Sequence, residues 1–259
     1  MSYVLAFYGV KDGQGLTTTA LGVAGELARQ HSVLFVDADM SGTGTAADSL
    51  QVDPAGRGMH NLLGSGQITS RDLVAQAVPT TSRNLGLVPG LAAVCGSSPT
   101  RLVERLREGG ALSMPSVELI VLDLGSIAHP DQRSLRQAAA AIATVAHRVF
   151  TVIKDDPPVL ARAVQVLRAA APPKTEVLVV EHRRGALRKH VEQVLQLRVP
   201  EVAIGPPIAW DPNRARAALD AGRPLELGAL VRQLQLLERA QPVLAAVRTA
   251  TDAAGAEAC

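Results

Sequence analysis

One loop near the amino terminus, Gly9-Val10-Lys11-Asp12-Gly13-Gln14-Gly15-Leu16-Thr17-Thr18, constrains the fold of this chain more than any other stretch. An apolar run from Tyr3 to Tyr8 feeds it, and Leu21, Val23, Ala24, Leu27 and Ala28 leave it at helical spacing, which predicts strand, loop and helix in succession. Glycines in such a loop let successive backbone N–H groups point into one concavity, and the following helix turns its positive dipole end to the same place. The occupant that this geometry suits is a phosphate, and the alternative is a purely structural turn. The strict phosphate-loop form is a glycine, four residues, a second glycine, lysine, then serine or threonine. Here Gly15 is the second glycine and Thr17 holds the hydroxyl position for magnesium, but Leu16 stands where the lysine should be.

The loop resembles the deviant Walker A segment of the ParA/MinD family: lysine, glycine, glycine, any residue, glycine, lysine, threonine, threonine. Lys11 stands at the family's signature lysine, and Gly13, Gly15, Thr17 and Thr18 match, whereas Asp12 replaces a glycine and Leu16 the phosphate-binding lysine. Val33-Leu34-Phe35-Val36-Asp37-Ala38-Asp39 looks like the family's Walker A′ strand, and Val117-Glu118-Leu119-Ile120-Val121-Leu122-Asp123 resembles Walker B. The three segments occur in the family's order.

The resemblance implies an α/β P-loop fold with a mostly parallel sheet, and ATP or ADP with magnesium as cofactor. Residues Gly13, Gln14, Gly15, Leu16, Thr17 and Thr18 would follow the phosphates. Thr17 and Asp123 would hold the metal, and Asp37 and Asp39 would lie on the side of the attacking water. Lys11, in the family, reaches the nucleotide of a partner subunit, so a homodimer is implied.

A chain of 259 residues, 47% of them hydrophobic, can bury a full core as one domain, here taken as 1–249 with a flexible tail over 250–259. Aromatic residues are only 2%, so the core must be aliphatic. A formal charge of +2 gives the whole molecule no electrostatic attraction for nucleic acid, and any such binding must come from a local patch. Cys95 and Cys259 suggest neither a disulfide framework nor a four-ligand zinc site. No secretion signal is evident and no apolar run reaches the roughly 20 residues that span a bilayer. A cytoplasmic protein is expected, recruited by its partners to a pole or to the inner membrane face.

Along the chain, the small residues from Met40 to Thr45 resemble the family's loop that responds to the γ-phosphate, and their composition is equally that of an ordinary loop. Short helices are expected at Gly58–Leu63 and after Thr69, and a strand at Asn84–Gly90. A helix capped at Ser98 should end at Gly109-Gly110, and another should run from Gln132 to Val145. A strand at Val149–Ile153, a helix after Pro157-Pro158 and strands at Glu176–Val180 and near Val202 complete an alternation that requires a mostly parallel sheet with helices on both faces.

Glu181 falls where the family commonly has a base-recognising asparagine; a carboxylate accepts from the adenine amino group but donates nothing to a ring nitrogen. Trp210 could stack on a ligand or simply pack. The stretch His182 to His190, with Arg183, Arg184, Arg188 and Lys189, is the densest basic segment, and ParA-type proteins hold DNA nonspecifically with basic residues in this part of the fold. A long helix from about Pro224, with Leu227, Leu230, Val231, Leu234 and Leu237 on one face and Leu244 and Val247 beyond Pro242, is expected to dock on the domain's own core rather than on a membrane.

Three readings follow. The chain is a ParA/MinD-like protein with weak or absent hydrolysis, acting as a dimerising positioning or adaptor factor, as the CpaE/TadZ branch does for pilus or secretion machinery. Alternatively Lys11 compensates for the missing lysine in a working ATPase that partitions DNA or cargo. The third reading is an interaction protein that uses no nucleotide.

Overall fold

A computed structural model of the chain describes residues 2–40, 45–64, 66–91, 99–126, 132–182 and 187–245. Elements alternate as the sequence requires. They are β1 (Tyr3–Gly9), α1 (Leu16–Leu27), β2 (Val33–Asp37), α2 (Ala46–Ser49), α3 (Met59–Leu62), α4 (Ser70–Gln76), β3 (Val78–Pro79), β4 (Leu85–Val88), α5 (Pro99–Glu108) and β5 (Leu119–Ser126). The second half holds α6 (Gln132–Val145), β6 (Arg148–Lys154), α7 (Pro157–Ala170), β7 (Thr175–Glu181), α8 (Arg188–Arg198), β8 (Ala203–Ile204), β9 (Ile208–Ala209), α9 (Pro212–Asp220) and α10 (Gly228–Gln233).

The described strands form one sheet in the order β3-β4-β2-β5-β1-β6-β7-β8, with β9 continuing beside β7. Every pairing is parallel except that of the short β3 with β4. A central parallel strand has both faces covered, and β1 is accordingly buried along its whole length. Its side chains alternate. Val4, Ala6 and Tyr8 enter a core shared with α5, α6 and α7, while Tyr3, Leu5 and Phe7 enter a second core under α1 and α10. Because α1 leaves β1 for one face and α6 leaves β5 for the other, a crevice opens at the carboxyl ends of these adjacent strands, where ligands of open α/β sheets bind.

Local signals account for several boundaries. The Thr69 side chain accepts from Asp72 N–H and the Asp72 carboxylate accepts from Thr69 N–H, a capping box that starts α4. Pro157 and Pro158 open α7, where the missing N–H groups have no intrahelical partner to lose. The helix expected from Pro224 is not continuous. It begins as α10 at Gly228, breaks at Gln235, whose φ of 50° cannot continue a right-handed helix, and resumes over 236–245. The break re-aims the apolar face, so that Leu230, Val231, Leu234, Leu236, Ala240 and Leu244 all bury in the second core, with Leu227 and Leu237 packed at its margin. Docking on the domain's own core is thus as expected. Among the described residues no helix is long and apolar enough to cross a membrane. Cys95, Ser98, Arg183, Arg184, Val247, Cys259, most of the loop from Met40 to Thr45 and the tail 250–259 lie outside the described residues.

Two glycines of α1 admit the segment that precedes α10. A Cβ on Gly22 would fall 2.7 Å from the Leu225 carbonyl oxygen, and one on Gly25 would fall 2.5 Å from Pro224 Cβ. At Gly25 the neighbour is a rigid proline ring, whereas at Gly22 the Leu227 side chain, 2.6 Å away, shares the contact with the Leu225 carbonyl. Gly25→Leu should therefore lower the unfolding free energy by about 2–3 kcal/mol, as overpacking does, while Gly64→Ala, in open space, should change it by less than about 0.5 kcal/mol. Urea denaturation followed by circular dichroism measures both.

Candidate functional site

The loop after β1 folds as a cradle. Gly13 and Gly15 take φ values of 72° and 79°, a left-handed conformation in which a Cβ would meet no neighbour, so the demand for glycine there is conformational and not steric. Gly15 is also the residue that starts α1, and no side chain caps that end. The first-turn N–H groups of α1 are left for a ligand. Lys11, Asp12, Gly13, Gln14, Gly15, Leu16, Thr17 and Thr18 line a cavity of about 320 Å³ together with Asp39, Thr45, Gly125 and Ser126.

Individual side chains divide into those that hold the cradle and those that face it. Gln14 is only 4% exposed; its amide donates to Asp12 O at 3.1 Å and accepts from Lys154 N–H at 3.2 Å, which fastens the loop to the end of β6. What Gln14 offers a ligand is its backbone. Leu16, 9% exposed, belongs to the second core and lies 3.6 Å from where a Cβ of Gly9 would sit. The position that carries a lysine in the family is therefore occupied by an apolar side chain turned towards the sheet. Lys11 and Asp12 are exposed on the cavity's rim.

Parallel register sets Asp37 of β2 directly beside Asp123 of β5. Asp37 is 1% exposed, and its oxygens accept from Ala46 N–H at 3.2 Å and Asp39 N–H at 3.4 Å. It ties the following loop together, whereas Asp39 lines the cavity. Burial first, and then the charge of Asp123, push the Asp37 carboxyl well above its ordinary value of 3.8. Asp123 is also pushed up by burial, against the Thr17 hydroxyl and the Gly125 N–H, which donates to Oδ1 at 3.0 Å. Its Oδ2 is buried and accepts no hydrogen bond.

An orphaned carboxylate oxygen beside a hydroxyl fits magnesium, which takes one or two protein oxygens and completes its octahedron with water and nucleotide phosphate. Thr17 and Asp123 would hold it. Among the described residues no group of three or more His, Cys, Asp and Glu is arranged to bind a metal, so the ion would depend on nucleotide for its remaining ligands.

A second cavity of about 280 Å³ meets the first at Thr18. Leu21, Trp210, Pro212, Leu219 and Leu225 give it an apolar wall, with Arg216 and Arg223 at its edge. Trp210 packs against the second core and its ring lies 5.3 Å from that of His182, tilted by 34°. Glu181, at the end of β7, does not line either cavity; its Oε1 is 3.7 Å from Arg188 Nε, which is also 2.6 Å from Glu192 Oε1. Arg188 is thus held by two carboxylates of its own chain, and Lys189 stands exposed on α8.

Gly125 and Ser126 line the cavity although the sequence reading names neither, and Gly90, which ends the strand expected at Asn84–Gly90, packs on Asp37. Gly125 combines a φ of 63° with a position where a Cβ would lie 2.3 Å from Asp39 Oδ1, and a Cβ on Gly90 would lie 2.6 Å from the Asp37 carboxyl carbon. The usable signal is a glycine at the carboxyl end of β5 and another two residues beyond β4.

Raised native values mean that the folded chain binds more protons than the unfolded one above pH 3.8, so the stability carried by Asp37 and Asp123 falls as pH rises through that window. Asp123→Asn removes a buried charge and its repulsion of Asp37. It should raise the melting temperature in magnesium-free buffer at pH 7, by the few degrees that ~1 kcal/mol gives a chain of this size, and flatten the pH dependence. Scanning calorimetry between pH 4 and pH 8 checks both effects.

No protein-family model and no curated protein matches the sequence. Solved structures do. A ParA family ATPase from Chlorobium tepidum TLS superimposes with a TM-score of 0.69 at 16% identity, over 89% of this chain and 97% of that one. The septum site-determining protein MinD of Pyrococcus horikoshii OT3, solved with Mg-ADP, gives 0.62 at 18% identity over 98% of both chains. A chain of the MinC:MinD cell division protein complex of Aquifex aeolicus gives 0.65 at 15% identity, over 94% of this chain and 96% of that one. At such identities the likeness speaks for the architecture. The chain has the P-loop fold of the ParA and MinD ATPases.

Proposed function

We infer that this chain is a ParA/MinD-type protein that binds ATP or ADP with magnesium weakly, hydrolyses it feebly or not at all, and acts as a dimerising positioning or adaptor factor. The observation that carries this reading is the contrast at the cradle. The left-handed glycines, the uncapped start of α1 and the orphaned Asp123 oxygen are kept, while position 16 is apolar and packed into the core.

Phosphoryl transfer by such sites is mainly positioning together with stabilisation of charge developing on the transferred group. Leu16 supplies no charge, and Asp12 on the rim adds a negative one. Loss of one charge-assisted contact costs on the order of 3 kcal/mol, about a hundredfold in affinity or rate. The apolar cavity that meets the phosphate cradle at Thr18 suits the nucleoside end of the same ligand. Thr17 and Asp123 are the protein ligands proposed for magnesium, and Lys11, exposed on the rim, is the residue proposed to act on a second subunit. The solved structures named above are of a ParA family ATPase, a septum site-determining protein and a cell division protein complex, which supports the positioning class; the narrower CpaE/TadZ likeness draws nothing from them. Nonspecific DNA binding is the weaker reading, since Arg188 is engaged by Glu181 and Glu192.

Titration calorimetry should find magnesium-dependent ATP binding weaker than about 1 μM, and Leu16→Lys with Asp12→Gly should tighten it by about 10–100-fold. Submicromolar affinity in the wild type would sink the charge argument, and no heat at millimolar ATP would favour the nucleotide-independent protein. In sedimentation, an ATP-dependent dimer should dissociate in Lys11→Ala; a dimer indifferent to both nucleotide and Lys11 would remove the proposed sandwich.

A further inference from the structure

A cavity of about 380 Å³ lies at the amino-terminal ends of β1, β6, β7 and β8, the edge of the sheet opposite the glycine cradle. Tyr3, His147, Lys174 and Arg239 line it, with the Arg148–Glu176 ion pair and Glu201 completing its polar wall. Tyr3 is 5% exposed, yet its hydroxyl hydrogen-bonds to no described residue. A hydroxyl that opens on a cavity wall and has no partner among the described residues is free to bind a ligand there.

The surrounding groups say what that partner is. The Tyr3 ring stacks on His147 with centroids 4.7 Å apart. Val4 N–H donates to His147 Nδ1 at 3.0 Å, so the neutral imidazole carries its proton on Nε2, as a donor. Burial, and then the Lys174 charge, hold His147 below its ordinary value and keep it neutral at pH 7. Arg148 is already used: it donates to Leu234 O at 2.8 Å and to the Glu176 carboxylate. Lys174 and Arg239 have no ion-pair partner among the described residues, and the charges of Arg148 and Arg239 both act on the Tyr3 hydroxyl. Four donors, two of them unneutralised cations, thus meet one uncompensated carboxylate, Glu201, at the rim.

We propose that this cavity binds a phosphate-class oxyanion, as inorganic phosphate or as a small phosphomonoester, through Tyr3, His147, Lys174 and Arg239. The unprotonated oxygens of the oxyanion match the donors, and Glu201 accepts from a hydroxyl of the ester or of a monoprotonated phosphate. Because Arg239 lies on the helix over 236–245 and the other groups lie on the sheet edge, the ligand bridges the two.

The test is a titration of the protein at constant ionic strength, replacing chloride by phosphate and, in a second series, by glycerol 3-phosphate, while the His147 ring resonance is followed by NMR and identified with His147→Gln. A saturable shift is expected, weakened about tenfold in Tyr3→Phe and in Arg239→Gln, both of which keep the packing of the ring and the stem. Tighter binding in one series identifies the source of the oxyanion. Phosphate taken up by the glycine cradle would leave His147 unmoved, because the cradle is at the other edge of the sheet. A shift that chloride reproduces, a non-saturable shift, or a saturable one unchanged in both variants would overturn the proposal.

Discussion

Two carboxylates are buried side by side because the parallel register of β2 and β5 puts Asp37 next to Asp123, and much of the site is shaped by that juxtaposition. An unpaired carboxylate in a protein interior is costly unless it is hydrogen-bonded, neutralised or bound to a cation. Asp37 receives backbone N–H groups from Ala46 and Asp39, and Gly90 leaves room for it. Asp123 receives the Gly125 N–H and the neighbourhood of Thr17, and one of its oxygens receives nothing. A chain that only needed to be stable would place apolar groups here. Keeping the pair is a stability cost of the kind that functional sites carry, and it argues that the phosphate end of the fold has not drifted into a neutral core.

Position 16 points the other way. A lysine there would have a flexible stem to carry its ammonium to the phosphates, whereas Leu16 has joined Phe7, Leu5 and Ala20 in the apolar layer beneath α1. The cradle's shape does not depend on that side chain. It is set by the glycine conformations and by the Gln14 amide, which spans from Asp12 to the end of β6. Shape and charge are therefore separable in this loop, and here the first is kept without the second.

The strands and the cradle were legible in the sequence because each rests on a local demand: continuous apolar runs for central strands, glycines before a helix, carboxylates where a strand ends. What was not legible depends on contacts between distant segments. Gly22 and Gly25 look like defects in a helix until Pro224 and Leu225 are laid against them. Gln14 reads as a ligand residue until Lys154 arrives beside it. The break at Gln235 could not be foreseen from an unbroken three-and-four spacing, since the Arg148 bond to Leu234 O at that break comes from a distant strand. Gly125 and Gly90 carried a faint local signal, but the carboxylates that require them come from other strands.

The close seat of α1 on the segment before α10 bears on how the cradle meets a ligand. Where Gly22 and Gly25 face the segment before α10, the Leu225 carbonyl and the Pro224 ring lie directly against the main chain of α1, with the Leu227 side chain wedged beside them, so little room is left to take up a displacement. A helix seated this way cannot roll about its axis without lifting its neighbour, so the N–H groups at its start keep one direction. The cost of ordering them is met during folding, and an incoming anion encounters donors already aimed.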